Sequence, residues 1–169
     1  MGDVLSMGME PVPDWRKGPF TSLELDLTGR GSGIEPLFCT GVPGRSDLLA
    51  IEWLPNNRAR LLLDHWSHGA YVGRDFSWSP ELMHHLKLTL PALPALDRPG
   101  VDVGTGVLRA EVDGALVWQE EVPFFGAPSS SAVFGKNPVG SSMARQELSC
   151  TVGDIRQDAG GTRAPAGRP

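Results

Sequence analysis

A chain of 169 residues fits the ~100 to 200 residues of a single domain and is long enough to bury a core without disulfide or metal staples. Its 21 Gly and 15 Pro disfavour long helices, because Gly loses most entropy on folding and Pro removes a backbone donor. Fifteen Lys and Arg against 20 Asp and Glu leave a net charge of -5, so the basic field used to approach nucleic acid is missing and no such partner is expected.

Residues 1–18 carry Asp3, Glu10 and Asp14 and no apolar run, so they read as a flexible segment rather than a signal peptide or membrane span. No stretch approaches the ~18 apolar residues of a spanning helix. The expectation is a soluble chain without membrane insertion, cytoplasmic by default unless it is a piece of a longer exported protein. A sandwich domain is expected over residues 19–157.

Residues 20–27 alternate, with Leu23, Leu25 and Leu27 on one face and Ser22, Glu24 and Asp26 on the other, the period of a half-buried strand. Residues 48–54 and 58–66 flank the turn Pro55-Asn56-Asn57 as a hairpin, placing Ala59, Leu61, Leu63 and His65 on one face. Ser79-Pro80-Glu81 resembles a helix start, with Leu82, His85, Leu86 and Thr89 sharing a face. The competing reading is one short turn leading into a strand through Leu86, Leu88 and Leu90, and Pro91 arrives early enough to favour it.

Residues 91–106 read as an exposed Pro/Gly-containing connection. Residues 107–112 and 115–122 flank Asp113-Gly114, a strong hairpin signal because Gly tolerates the positive φ of a tight turn. Two further strands are expected at 132–135 and 146–155, around a polar, flexible loop at 136–142. Residues 158–169 have no apolar face and read as a disordered tail. Together these elements predict an all-β, antiparallel sandwich of the jelly-roll kind with at most one short helical turn.

The run Val107-Leu108-Arg109-Ala110-Glu111-Val112-Asp113-Gly114, followed by Val117-Trp118, resembles the strand, Val-Asp-Gly, strand hairpin of concanavalin A-like lectin/glucanase domains, the laminin G-like group included. Asp64-His65-Trp66, residues 86–90 and Val133-Phe134-Gly135-Lys136-Asn137-Pro138 fit the same order. In particular they resemble sandwich domains that accompany bacterial membrane proteins of the sugar-transferase type. The resemblance covers residues 20–156. It implies a two-sheet jelly roll that binds glycans or proteins and in some members hydrolyses polysaccharides, so each candidate site needs its own argument.

Hydrolases on this fold resemble one another in a strand motif Glu-x-Asp-x-x-Glu, and here Glu24-Leu25-Asp26-Leu27-Thr28-Gly29 ends in Gly where the second Glu is required. A solvated outer strand face explains Glu24 and Asp26 better. Asp64, His65 and His68, with His84 and His85 further on, form the one cluster with metal-ligand chemistry. Yet His65 shares its face with Leu61 and Leu63, so a packed histidine beside Trp66 is favoured. No metal or other cofactor is expected, with His65 and His68 as the weak candidates.

Cys39 and Cys150 form neither a metal motif nor a CxxC pair. They either bridge or remain as buried free thiols, and the thiols are favoured. Gly29-Arg30-Gly31-Ser32-Gly33 precedes no helix, and Ser129-Ser130-Ser131 and Ser141-Ser142 have no nameable base, so all read as loops or solvated turns.

Five Trp against one Tyr raise the question of sugar stacking, since an indole face packs on C–H surfaces while polar neighbours take hydroxyls. Trp66, Trp78 and Trp118 are the candidates, with core packing as the rival role of each. The expected ligand-binding set is Trp66, Trp118, Arg60, Asp64 and Arg109. Phe124 and Phe125 are expected to close one end of the core. The functional expectation is a non-catalytic, lectin-like module for a carbohydrate or a protein surface. A glycoside hydrolase or a purely structural accessory domain are the alternatives.

Overall fold

The computed structural model describes residues 20–158. Strands β1 (Ser22–Thr28), β2 (Ile34–Val42), β3 (Arg45–Leu54) and β4 (Arg58–His65) come first. The short β5 (Ala70–Val72) and β6 (Phe76–Ser77) precede β7 (Met83–Thr89) and the long pair β8 (Val103–Val112) and β9 (Ala115–Phe125). A 3-10 turn at Ser129–Ser131, then β10 (Val133–Phe134) and β11 (Thr151–Asp158), end the described chain.

One sheet runs β11-β1-β7-β8-β9 and the other β10-β2-β3-β4-β5, with β6 also on β4. Every pairing is antiparallel, as short turns between successive strands favour. Leu23, Leu25, Leu27, Leu86, Leu88 and Leu108 of the first sheet and Leu49, Ile51, Trp53, Leu61 and Leu63 of the second share one buried cluster. This is the all-β antiparallel sandwich that the alternation predicts. Both expected hairpins form around paired left-handed residues, Asn56 (φ 59°) with Asn57 (φ 54°) and Asp113 (φ 51°) with Gly114 (φ 80°). That backbone matches the twist of the strands it joins.

Among the described strands the register shifts three times, once between β1 and β11, and two of the shifts turn successive side chains inward. The β2–β3 register shifts between Pro36 and Phe38, and Leu37 and Phe38 are both buried. On the opposite sheet the β8–β9 register shifts between Ala110 and Glu111, and Val117 and Trp118 are both buried. An extra residue on one strand sends two successive side chains inward, where strict pleating would send one out.

Three segments depart from expectation. The connection after Pro91 is exposed at residues 97–100 but not at its start: Leu93 and Leu96 are fully buried, because turns from Leu90 to Leu93 and from Leu93 to Leu96 fold them under the sheets. As the early Pro91 favours, Leu82 lies in a short turn that leads into β7, and His85 lies on that strand; a 3-10 turn lies at Ser129–Ser131. The last strand is Thr151–Asp158 rather than 146–155, since residues 146–148 return along the loop, with Gln146 O accepting from Asn137 N and Leu148 N donating to Gly135 O. Asp158, assigned to the tail, pairs with Ser22. The remaining tail residues and residues 1–18 lie outside the described residues. Among the described residues no helix is long and apolar enough to cross a membrane.

Glu35 of β2 ties the returning chain to the sheet. Its carboxylate, 1% exposed, accepts from Trp53 Nε1 at 3.0 Å, Ser149 N at 3.2 Å, Ser32 N at 3.4 Å and the Ser149 hydroxyl. Burial alone would raise its pKa, but these donors outweigh it and hold the carboxyl below its ordinary value.

Candidate functional site

Asp64 and Trp66 stand two residues apart at the end of β4, so both project from the outer face of the second sheet while His65 between them projects inward. Asp64 lies opposite Leu48 of β3, which lies opposite Cys39 of β2. This row is covered from outside, because Cys39, Leu48 and Ala50 pack with Val139 and Ala144 of the loop after β10, and half-buried Trp66 packs against their edge.

The covering loop is held by one side chain. Asn137, 3% exposed, donates from Nδ2 to Ser141 O at 2.7 Å and to Ala144 O at 3.1 Å. Its Oδ1 accepts from Ser141 N at 3.1 Å. The loop at 136–142, expected to be flexible, is therefore pinned, and Ser141, expected in a solvated turn, is buried. Its hydroxyl donates to Asp64 Oδ2.

Between loop and strand end opens a cleft lined by Asp64, Trp66, Ser67, Gly140, Ser141 and Ser142. Its volume is about 220 Å³, smaller than the roughly 300 to 1,000 Å³ of sites that enclose a small molecule. Ser67 adopts a left-handed backbone at φ 68°, which costs a residue other than Gly roughly 1–2 kcal/mol. Trp66 is the one tryptophan among the described residues that is not buried, Trp53, Trp78 and Trp118 being 6%, 0% and 6% exposed.

The other expected site residues lie apart from this cleft. Trp118 packs in the core, its Nε1 donates to Glu120 Oε2 at 2.9 Å, and it borders a separate recess with Arg74, Leu116, Val117 and Gln119. Trp78 is likewise internal, its Nε1 donating to Gly29 O at 2.8 Å. Arg60 shares the outer face of β4 but pairs with Glu52 of β3. Arg109 is on the opposite sheet, donating to Glu111 Oε1 at 2.6 Å and Gln119 Oε1 at 2.7 Å. The structure thus unites Trp66 and Asp64 and separates them from Trp118, Arg60 and Arg109.

His65 is buried, and its Nδ1 lies 2.6 Å from Asp47 Oδ1. Asp47 Oδ2 accepts from Phe125 N at 2.8 Å, which joins the two sheets at this end. The His65 ring stacks on Phe125 at 4.2 Å and on His68 at 5.0 Å between centroids. Burial pushes the Asp47 carboxyl up, against the pull of its hydrogen bonds from His65 and Phe125. His65 is thus a packed residue whose ring faces Phe125, while Trp66 points to the other side of the sheet. His84 and His85 are on the first sheet, His84 Nδ1 lying 2.7 Å from Asp113 Oδ2 and its ring 4.1 Å from that of Trp78. Among the described residues no group of three or more His, Cys, Asp or Glu could hold a metal ion.

Glu24 and Asp26 lie on the outer face of the first sheet. His85 Nδ1 is 2.8 Å from Asp26 Oδ1, and Arg156 is 3.5 Å from Glu24 and 3.6 Å from Asp26. Cys39 and Cys150 are free and buried, in separate clusters, and desolvation pushes each thiol up to about 12. A second recess, between the sheets, is lined mostly by apolar groups such as Phe38, Leu49, Leu90 and Phe124. Asp47 there is already engaged by His65 and Phe125.

Sequence reasoning missed Ser67, Gly140, Ser141 and Ser142. The available signal was Asn137, an amide with several hydrogen-bonding groups set just before Pro138 and Gly140.

No family model matches the chain, and no curated protein matches it. Among solved structures, the crystal structure of a mutant of the GH43 protein BlXynB from Bacillus licheniformis is similar at 12% identity and a TM-score of 0.38. The match covers 88% of this chain and 25% of that one, so this chain spans a quarter of that protein's length.

Proposed function

We propose that the chain is a non-catalytic, lectin-like sandwich of the concanavalin A or laminin G kind, and that it binds carbohydrate in the cleft beside Trp66. The observation that carries this reading is Trp66 itself, an indole half-open to solvent among the carboxylate of Asp64 and the hydroxyls of Ser67, Ser141 and Ser142. A sugar ring presents C–H faces to an aromatic surface and hydroxyls around its rim, and this wall offers the complementary groups. The lining has one carboxylate, whereas glycoside hydrolysis generally needs two across the scissile bond. Glu24 and Asp26 are on the other sheet and are engaged by His85 and Arg156.

A glycan array probed with the parent chain and with Trp66→Ala tests the proposal, after circular dichroism has shown that both fold. The parent is expected to bind at least one glycan, and truncation of a stacking Trp, a loss of about 2 kcal/mol, should weaken that binding about 30-fold. A parent that binds no glycan, or a variant that binds as well as the parent, overturns the reading. Selective capture of a protein ligand, without any glycan, would transfer the cleft to protein recognition.

A further inference from the structure

We infer that the cleft selects neutral sugar rings over anionic ones, with Asp64 setting the preference. This rests on the carbohydrate-binding reading above and extends it to a ligand class.

The charged and polar side chains of the wall are one carboxylate and three hydroxyls, with neither Lys nor Arg in the lining. Arg60, on the same outer face, is four residues from Asp64 along β4, roughly 13 Å at the usual rise, and is paired with Glu52. A uronate or sulfate ester entering the cleft would meet Asp64 with no cation to compensate it, and such like-charge encounters are an established means of rejecting a partner.

Asp64 is also prepared to receive hydroxyl donors. Ser141 donates to its Oδ2, and Oδ1 has no hydrogen-bond partner among the described residues. A carboxylate oxygen accepts only, so it suits the O–H groups of a neutral ring, and such charge-assisted bonds are stronger than neutral ones. The wall needs little rearrangement to do this. Asn137 fixes Ser141 and Ala144 from within the loop, and Val139 and Ala144 seat it on Cys39, Leu48 and Ala50. Order already present in the free protein lowers the cost of binding.

Affinity electrophoresis of the full chain, at physiological salt, in gels containing dextran, galactomannan, xyloglucan or β-1,3-glucan on one side and alginate, polygalacturonate or heparin on the other, tests this. Retardation by at least one neutral polymer is expected, with every anionic polymer at least tenfold weaker. Asp64→Ala should weaken neutral binding about 10- to 100-fold, the range for a hydrogen bond to a charged group. Asp64→Asn keeps an acceptor and removes the charge, so it should narrow the neutral-to-anionic ratio by tenfold or more. Glu81→Gln removes the same charge from an exposed turn before β7 and should leave the ratio unchanged.

Retardation by an anionic polymer that Trp66→Ala abolishes would overturn the selectivity while leaving the carbohydrate reading standing. An unchanged ratio in Asp64→Asn, or an equal change in Glu81→Gln, would also overturn it. No retardation by any polymer would refute the carbohydrate reading and this inference together.

Discussion

Removing the Glu35 side chain should be among the most damaging single changes in this sandwich. Glu35→Ala leaves the indole N–H of Trp53 and the backbone and hydroxyl donors of Ser149 without their acceptor. A buried donor left unpaired costs about 1 to 3 kcal/mol, and with Ser32 N–H the orphaned donors number four, so at the low end of that range, because water reaches some of them, the loss is about 4 kcal/mol. Against a total stability of roughly 5 to 15 kcal/mol, urea unfolding followed by tryptophan fluorescence should show a large fall in midpoint at unchanged slope. Glu35→Gln is milder, because the Ser149 hydroxyl can turn to accept from the new amide, and about 1 kcal/mol is expected.

The pH dependence separates charge from shape. The folded carboxyl is held below its ordinary value of 4.5, so between that value and the folded one the unfolded chain binds the proton more tightly and stability rises with pH. The Glu35 contribution is complete above the unfolded value and is lost as pH falls through the folded one. The gap between parent and Glu35→Gln should therefore be widest near neutrality and shrink in acid. A loss below about 1 kcal/mol in Glu35→Ala, or a parent-to-Gln gap that is flat from neutral to acid pH, would refute this account.

Gly31→Ala would place a Cβ 2.1 Å from Glu35 Oε1; displacing that oxygen breaks its bonds, so a loss of about 2 kcal/mol is expected. A double-mutant cycle in urea should show that loss shrinking in the Glu35→Ala background. Gly73→Ala would bring a Cβ to 2.9 Å from the Trp118 ring, and thermal unfolding should reveal about 1 to 3 kcal/mol of overpacking. With both thiols buried and pushed up to about 12, an aromatic disulfide reagent at mildly alkaline pH should titrate neither in the folded chain and both in denaturant. Rapid labelling of folded protein, or no labelling after denaturation without reductant, would contradict free buried thiols.

Much of the fold could be read from the chain where one local rule acted alone. In β1, Leu23, Leu25 and Leu27 alternate with polar residues because that strand has one dry and one wet face. The turns at Asn56-Asn57 and Asp113-Gly114 were visible because few residue types accept positive φ at two successive positions. β2 was not visible. Its outer face lies under the loop carrying Val139 and Ala144, and its bulge turns Leu37 and Phe38 inward together. A strand buried on both faces has no period of two to detect.

The same physics governs what could be read of the cleft. Asp64 on β4 and Trp66 just past its end are two residues apart, so pleating carried one residue beyond the strand places them on one face. Trp118 looked equivalent because no local rule announces a bulge, and one extra residue in β9 turned its indole into the core. Ser141 meets Asp64 across 77 residues of sequence, a contact made only when the loop lies down on a sheet it could not be known to cover. Asn137 makes that contact reproducible, since it satisfies Ser141 and Ala144 from inside the loop while Val139 and Ala144 seat the loop on the sheet. The cleft is thus a consequence of covering Cys39, Leu48 and Ala50: the loop that keeps this apolar row dry stops short of Trp66, and the edge where it stops is one wall of the cleft.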